Sequence, residues 1–377
     1  MDSYKKIKAI ISGGGTGGHI FPALSIAGEL KELNPETEIL FVGAQGRMEM
    51  EKVPAAGYEI IGLPVAGLQR KLTLSNLALP FKVVRSVRMA RKILKDFKPD
   101  IAIGVGGYAS APLLWAAESL GIPTLIQEQN GYAGLTNKIL GKKAKSICVA
   151  YEGMERFFPA DRIVITGNPI RKEIVPATEQ TRKEAIEYYG LNPDKKHIFI
   201  VGGSLGSGTL NNAMKQWIES GCPGGEDVEV IWQCGKYYKP SVDEFMDRKR
   251  KSGISLDSVR HFDFITRMDL AYACADLVVS RSGASSVSEL CAMHKAVIFV
   301  PSPNVAEDHQ THNAMALVRK EAAMIVKDCE AADRLMRTAC EVVHETERLK
   351  TMEKNIALLA LPDAARTITD EIYKIIG

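Results

Sequence analysis

His19 is the side chain whose setting points most directly to chemistry. It closes the run Gly13-Gly14-Gly15-Thr16-Gly17-Gly18-His19, which follows the apolar stretch Ile10-Ile11-Ser12 and leads into a helical pattern. A glycine turn of this kind lets backbone approach a ligand closely and aims helix N–H groups at negative charge. An imidazole there, with an ordinary pKa near ~6.5, can take or give a proton at neutral pH. The alternative is a helix-start residue that only shapes a pocket. A second glycine turn, Gly202-Gly203-Ser204-Leu205-Gly206-Ser207-Gly208, follows Ile198-Phe199-Ile200-Val201 roughly half a chain later. Two such turns predict two α/β domains facing one cleft.

Gly13-x-Gly15-x-x-Gly18 formally matches a dinucleotide fingerprint, which needs an acid at the C-terminal end of the second strand to hold a ribose hydroxyl. The predicted second strand ends in Gly43-Ala44-Gln45, and Glu38 lies at its wrong end, so a nicotinamide cofactor is disfavoured. In the second half, Leu277-Val278-Val279-Ser280 leads into Arg281-Ser282-Gly283-Ala284-Ser285-Ser286-Val287-Ser288-Glu289. Small residues at that helix start expose N–H donors, and Glu289 is placed to take two ribose hydroxyls. Serine caps with a helix-start acid favoured by the dipole explain the same pattern equally well. The stretch Glu307-Asp308-His309-Gln310-Thr311-His312 suggests a metal, but an i, i+3 His pair alone is a weak signal and no metal site is expected. No Asp-x-Asp occurs, which removes one common way of holding Mg²⁺ against a diphosphate. Helix N-termini and a basic side chain would then meet that charge. Arg171, just after Gly167-Asn168-Pro169, is placed for this, or is a solvated linker arginine.

The elements that must position these groups are legible as alternation. Strands are predicted at 7–12, 38–43, 59–62, 100–105, 123–127, 146–150 and 162–166, with helices over Ala23 to Leu33, Phe81 to Phe97, Ala111 to Leu120 and Leu135 to Leu140. The second half repeats the pattern, with strands at 197–201, 228–233, 259–262, 276–280, 296–300 and 323–326 between helices. Strand–helix alternation at this spacing means parallel, doubly wound sheets. A chain of 377 residues, 46% hydrophobic and 25% charged, suits two ordinary globular domains. The boundary is placed at Gly167, giving domains 1–167 and 168–355, with 356–377 a last helical stretch broken near Pro362. Net charge is only +3, and no nucleic-acid partner is expected. Seven scattered cysteines without CxxC spacing read as reduced thiols, and the start of the chain shows no signal-peptide pattern; a cytoplasmic protein is expected.

Taken in order, Gly14 to Ala23, Gly106-Gly107-Tyr108, Gln127-Glu128-Gln129-Asn130-Gly131-Tyr132-Ala133-Gly134, Gly167-Asn168-Pro169-Ile170-Arg171, Gly202 to Gly206, Arg281-Ser282-Gly283-Ala284 and Glu307-Asp308-His309-Gln310 resemble glycosyltransferase family 28. Within it, the chain is similar to the peptidoglycan enzymes that add N-acetylglucosamine to lipid I. The match runs from about residue 7 to the C-terminus. The resemblance implies a GT-B fold: two Rossmann-like domains with parallel sheets facing an inter-domain cleft, and a last helix returning to the N-terminal domain. It implies UDP-N-acetylglucosamine as donor, lipid I in the membrane as acceptor, inversion at the anomeric carbon, and no cofactor. By match, Ser204 and Arg171 would meet the diphosphate. Ala284, Ser285, Ser286, Val287 and Ser288 would line the nucleotide site, with Glu289 on the ribose, Gln310 on the sugar and Ile265 reading uracil through its backbone. Thr16, Gly17, Gly18 and Asn130 would line the N-terminal side. His19 is the first candidate for general base and Glu128 the second.

An acceptor of this class requires work at a bilayer. Leu74, Leu77, Leu79 and Phe81 precede a helix carrying Lys82, Arg85 and Arg88, and apolar residues beside basic ones fit contact with an anionic phospholipid surface. An amphipathic helix packed on the sheet with a solvated basic face is the alternative. The expected location is peripheral, on the cytoplasmic face of the bacterial cell membrane, with a cell-wall synthesis complex as further partner.

Overall fold

The computed structural model describes residues 4–65, 79–107 and 109–377. Two compact units emerge, one of residues 1–170 and 362–377, the other of residues 171–361. The first contains β1 (Lys8–Gly13), α1 (Gly17–Leu33), β2 (Glu38–Ala44), α2 (Glu49–Ala55), β3 (Glu59–Leu63), α3 (Leu79–Phe97), β4 (Ile101–Gly106), α4 (Ser110–Ser119), β5 (Thr124–Glu128), α5 (Leu135–Leu140), β6 (Ser146–Val149) and β7 (Ile163–Ile165). Its sheet runs in the order β3-β2-β1-β4-β5-β6-β7, every pair parallel. Parallel strands need covered faces, and β1 shows how the sequence supplies them. Ala9 and Ile11 pack beneath Ala23, Ile26 and Leu30 of α1, while Ile10 faces the opposite layer with Leu94 of α3 and Leu113 of α4.

The second unit contains α6 (Glu179–Tyr189), β8 (Lys196–Val201), α7 (Gly208–Glu219), β9 (Val228–Gln233), α8 (Lys239–Lys251), β10 (Val259–Phe262), α9 (Met268–Cys274), β11 (Leu277–Ser280), α10 (Ala284–Ala292), β12 (Val297–Phe299), α11 (His309–Val318), β13 (Met324–Ile325), α12 (Ala331–Val342) and α13 (Thr346–Ala357). Its sheet order is β10-β9-β8-β11-β12-β13, again parallel throughout. The central strands β1 and β8 each deliver a glycine turn to the C-terminal edge of their sheet, where α/β folds bind ligands.

The boundaries differ slightly from the sequence reading. Asn168 is 2% exposed and bonded to Gln127 and Gln129, so Gly167 to Pro169 stays with the first unit and the change falls at Ile170 and Arg171. The expected cut at 355 would split α13, whose Leu349 and Met352 sit in the second unit's core. The chain crosses back at Pro362 instead, and the final helix α14 (Ala364–Ile376) seals the first unit with Ile368 and Ile372. Helix α1 begins at Gly17 rather than Ala23, because Pro22 is tolerated inside it for the loss of one i→i−4 bond. That earlier start puts His19 in the helix's first turn.

Candidate active site

Thr16 caps α1 from an extended conformation, φ −146° and ψ 158°, and His19 follows as the third helical residue. The imidazole Nδ1 lies 3.0 Å from the Gly14 carbonyl oxygen and 3.3 Å from Thr16 Oγ1. A carbonyl can only accept, so Nδ1 carries a proton, and in the neutral ring the lone pair lies on Nε2. Room for the ring comes from the end of β4. A Cβ on Gly106 would stand 2.6 Å from His19 Cδ2 and 2.8 Å from Nε2, and Gly106 adopts φ +103°. Gly107, at φ +92°, lies so close to the Gly14 carbonyl that a Cβ would approach it to 2.4 Å. Thr16 is exposed, while Gly17 and Gly18 are half-buried beside it.

The sequence reading missed Glu49. It opens α2, is 1% exposed, and accepts the Ala44 N–H at Oε1 and the Gly15 N–H at Oε2, both at 2.9 Å. An acid therefore does follow β2, but it is turned inward and holds the glycine loop instead of a ribose. Its signal in the sequence was weak, because a short helix containing Pro54 reads as a loop.

Glu128 ends β5 and is 2% exposed. Its Oε1 accepts the Asn130 N–H at 3.1 Å, and its Oε2 accepts the Gly134 N–H at 3.1 Å and Asn137 Nδ2 at 2.9 Å. Hydrogen bonds to a charged group contribute about 1.5–3 kcal/mol each. With both oxygens engaged, Glu128 holds the loop 130–134 and the start of α5. Half-buried Asn130 is presented by that loop.

In the second unit, Arg171 and Glu289 come together. Glu289 Oε1 accepts Arg171 Nη2 at 2.9 Å and Nε at 3.2 Å, and Oε2 accepts the Tyr272 hydroxyl at 3.1 Å. Glu289 is 8% exposed, and burial pushes its carboxyl above the usual range although Arg171 and Tyr272 pull it back. Arg171 is thus no loose linker residue, and Tyr272 is a partner the sequence did not reveal. The second glycine turn is closed by the Gly206 N–H donating to Gly203, with Ser207 capping α7 through the Leu210 N–H. Exposed Ser204 lies at its apex. Gln233, at the end of β9, ties this turn to Ile265: Nε2 donates to the Gly203 carbonyl at 2.8 Å and Oε1 accepts the Ile265 N–H at 3.2 Å. Ile265 is buried and its N–H is engaged by Gln233.

Helix α10 starts after Gly283 without a side-chain cap. Val287 is buried and Ser288 Oγ donates back to the Ala284 carbonyl, so of Ala284 to Ser288 only Ser285 and Ser286 present half-exposed hydroxyls at the helix start. Gln310 uses its carboxamide oxygen to accept the Ser302 N–H at 2.9 Å. Among the described residues, no group of three His, Cys, Asp or Glu side chains is disposed to hold a metal ion.

Of the residues expected at a membrane, Leu74 and Leu77 lie outside the described residues. Leu79 opens α3 and Phe81 stands in its first turn. Lys82, Arg85 and Arg88 are exposed along it. The helix divides along its length: Ala90 and Leu94 enter the core, whereas Val83 and Val84 remain 43% and 49% exposed. Trp115 (55% exposed) and Ile139 (60%) join Lys82, Val83, Lys142 and Lys143 around a cavity of about 580 Å³. Among the described residues no helix is long and apolar enough to cross a membrane.

Residues 9–149 match the glycosyltransferase family 28 N-terminal domain and residues 197–368 its C-terminal domain. The chain is 55% identical over 372 residues to the UDP-N-acetylglucosamine--N-acetylmuramyl-(pentapeptide) pyrophosphoryl-undecaprenol N-acetylglucosamine transferase of Parabacteroides distasonis, covering 99% of each chain. It is 54% identical over 371 residues to the protein of the same name from Bacteroides thetaiotaomicron, covering 98% of each. Among solved structures it is similar to Acinetobacter baumannii MurG, with a TM-score of 0.78 and 28% identity over 98% of this chain and 100% of that one.

Proposed function

Because the chain belongs to glycosyltransferase family 28 through both of its units, we propose a division of labour in which the first unit activates the acceptor and the second holds the donor. The fold class is the GT-B one that the resemblance implied. The reaction is the one for which the relatives are named: N-acetylglucosamine passes from UDP-N-acetylglucosamine to undecaprenyl-diphosphate-linked N-acetylmuramyl-pentapeptide, lipid I. Near-complete coverage of both chains at 55% identity is the observation that carries this reading.

In the proposed chemistry the 4-hydroxyl of N-acetylmuramic acid attacks the anomeric carbon as its bond to the β-phosphate oxygen breaks. The configuration inverts from α to β, the hydroxyl proton passes to His19 Nε2, and UDP leaves. The Nδ1–H to Gly14 bond supports this role, since it leaves the lone pair of the neutral ring on Nε2 and steadies the imidazolium once formed. Glu128 keeps Asn130 and its loop in place. On the donor side, Ser204 and the N-termini of α7 and α10 meet the diphosphate, Arg171 neutralises it, and Glu289 accepts from the ribose. For Arg171 to serve the phosphate it must share or leave Glu289, with which it pairs at 2.9 Å. Gln310 serves the sugar and Ile265 the uracil.

The acceptor's polyprenyl chain places this work at a bilayer, and the exposed Val83, Val84 and Trp115 beside Lys82, Arg85 and Arg88 support peripheral docking on an anionic, cytoplasmic membrane face. A cell-wall synthesis complex would then be met on that surface.

Release of UDP from UDP-N-acetylglucosamine, measured with and without a lipid I analogue, tests the reading; acceptor-dependent release is expected. His19→Ala should lower turnover by about 10²–10⁴-fold with UDP affinity nearly intact. Turnover within a few-fold of wild type would remove His19 as the base.

A further inference from the structure

Glu49 belongs to no substrate-binding feature, yet its buried carboxylate touches the His19 loop. Its Oε2 holds the Gly15 N–H and its Oε1 the Ala44 N–H, each at 2.9 Å, so one rigid group joins the glycine loop to the end of β2. The loop has been shaped around it. A Cβ on Gly14 would lie 2.3 Å from the Glu49 carboxylate, and one on Gly43 would lie 2.6 Å from its Cγ. Charge-assisted bonds of this kind are short and strongly directional. They fix the peptide that links Gly14 to Gly15, because the Gly15 nitrogen and the Gly14 carbonyl belong to the same planar unit. The N–H of that peptide points to Glu49, and the trans carbonyl opposite it points to His19 Nδ1 at 3.0 Å.

We infer that Glu49 is a positioning residue for the transfer: by clamping the Gly14–Gly15 peptide from behind, it selects the His19 tautomer whose lone pair lies on Nε2. The inference rests on His19 acting as base, but its structural half stands apart from activity. Without the clamp, the peptide can rotate. The Gly14 carbonyl then no longer requires a proton on Nδ1, and the imidazole loses its bias between the two neutral tautomers. A fraction of the enzyme would carry the proton on Nε2, where it cannot accept one from the acceptor hydroxyl.

The test is ¹⁵N NMR of the imidazoles in protein labelled at histidine, with the His19 signals assigned by their loss in His19→Ala. Spectra are recorded about two units above the ordinary histidine pKa of ~6.5, so that the rings are neutral. Wild-type His19 should show a protonated, pyrrole-type Nδ1 and an unprotonated Nε2. In Glu49→Gln, which keeps shape and one acceptor, the two shifts should converge as the tautomers mix. Turnover should fall by about 10–100-fold with the KM for UDP-N-acetylglucosamine within about two-fold of wild type. An Nε2–H tautomer in the wild-type protein overturns the inference without any variant. So does a Glu49→Gln protein that retains the wild-type shifts, whatever its activity. Failure of the base reading has a different signature: turnover that survives in His19→Ala while the Glu49→Gln shifts still move.

Discussion

Substituting Gly106 by alanine separates the seat of His19 from everything else the first unit does. Two costs can be worked from the structure. The first is conformational: Gly106 sits at φ +103°, where an L side chain costs about 1–3 kcal/mol. The second is steric and falls on one group. The new Cβ would meet His19 Cδ2 at 2.6 Å where ordinary contact begins at 3.4 Å, so the ring must retreat by about 0.8 Å. A reacting group misplaced by about 1 Å can lose ~10²-fold in rate, equivalent to about 2.7 kcal/mol in the barrier. Gly121→Ala supplies the control, because Gly121 has φ +74° but open space where its Cβ would stand. Both variants should unfold a few degrees early, and both should bind UDP as wild type does by calorimetry. Only Gly106→Ala should lose about 100-fold in acceptor-dependent UDP release. If the two variants turned over at the same rate, the position of the imidazole would not govern the reaction and the base assignment would fail.

Other outcomes follow from the second unit and from α3. Gly206→Ala drives a Cβ to 2.1 Å from the Cys234 carbonyl, a backbone atom that cannot swing aside; UDP binding should be lost and the unit's thermal transition lowered, both read in one ligand-shift melt. Glu289→Gln should weaken UDP by about 10–100-fold in calorimetry, the equivalent of about 1.5–3 kcal/mol from bonds to a charged group. Burial raises the Glu289 carboxyl, so on acidification wild-type affinity should begin to fall above the ordinary carboxylate range near ~4.3, whereas the Gln variant should stay flat. The sign for stability is the opposite. A raised acid contributes stability that is complete below its unfolded value and is lost as pH climbs through its folded one, so ionised Glu289 is held for binding at some expense to the fold. Reversing Arg85 and Arg88 to Glu should reduce co-sedimentation with anionic vesicles by about 1 kcal/mol or more per residue; unchanged binding would move the membrane face elsewhere.

The strands were legible because parallel strands covered on both faces must be apolar along their length, and each of the predicted runs became a strand with no end shifted by more than one residue. Short or charged helices were not. Helix α2 has seven residues and a proline, and α6 is dominated by Glu, Arg and Lys, so neither shows the apolar face that marks a helix before its packing is known. The same limit hid the supporting residues of the site. His19, Arg171 and Glu289 stand in recognisable runs, but Glu49, Tyr272 and Gln233 act through contacts spanning 34, 17 and 30 or 32 positions of sequence. A periodic pattern carries no record of such partners. Packing turns the Val287 side chain into the core and the Ser288 hydroxyl onto its own helix, placements that the sequence pattern does not record.

The return of α14 to the first unit has a consequence for the order in which the protein can be built. The second unit is one uninterrupted stretch, 171–361, and every one of its strands can pair before the final helix exists. The first unit is spliced: Ile368 and Ile372 complete a core begun by Ile7, Ala9 and Ile11, more than three hundred positions earlier. During synthesis its α1 layer therefore waits with apolar surface uncovered while the later unit is made and folds. In topological terms the second unit is an insertion within the first, and the helix that follows the insertion is the one that completes the α1 layer.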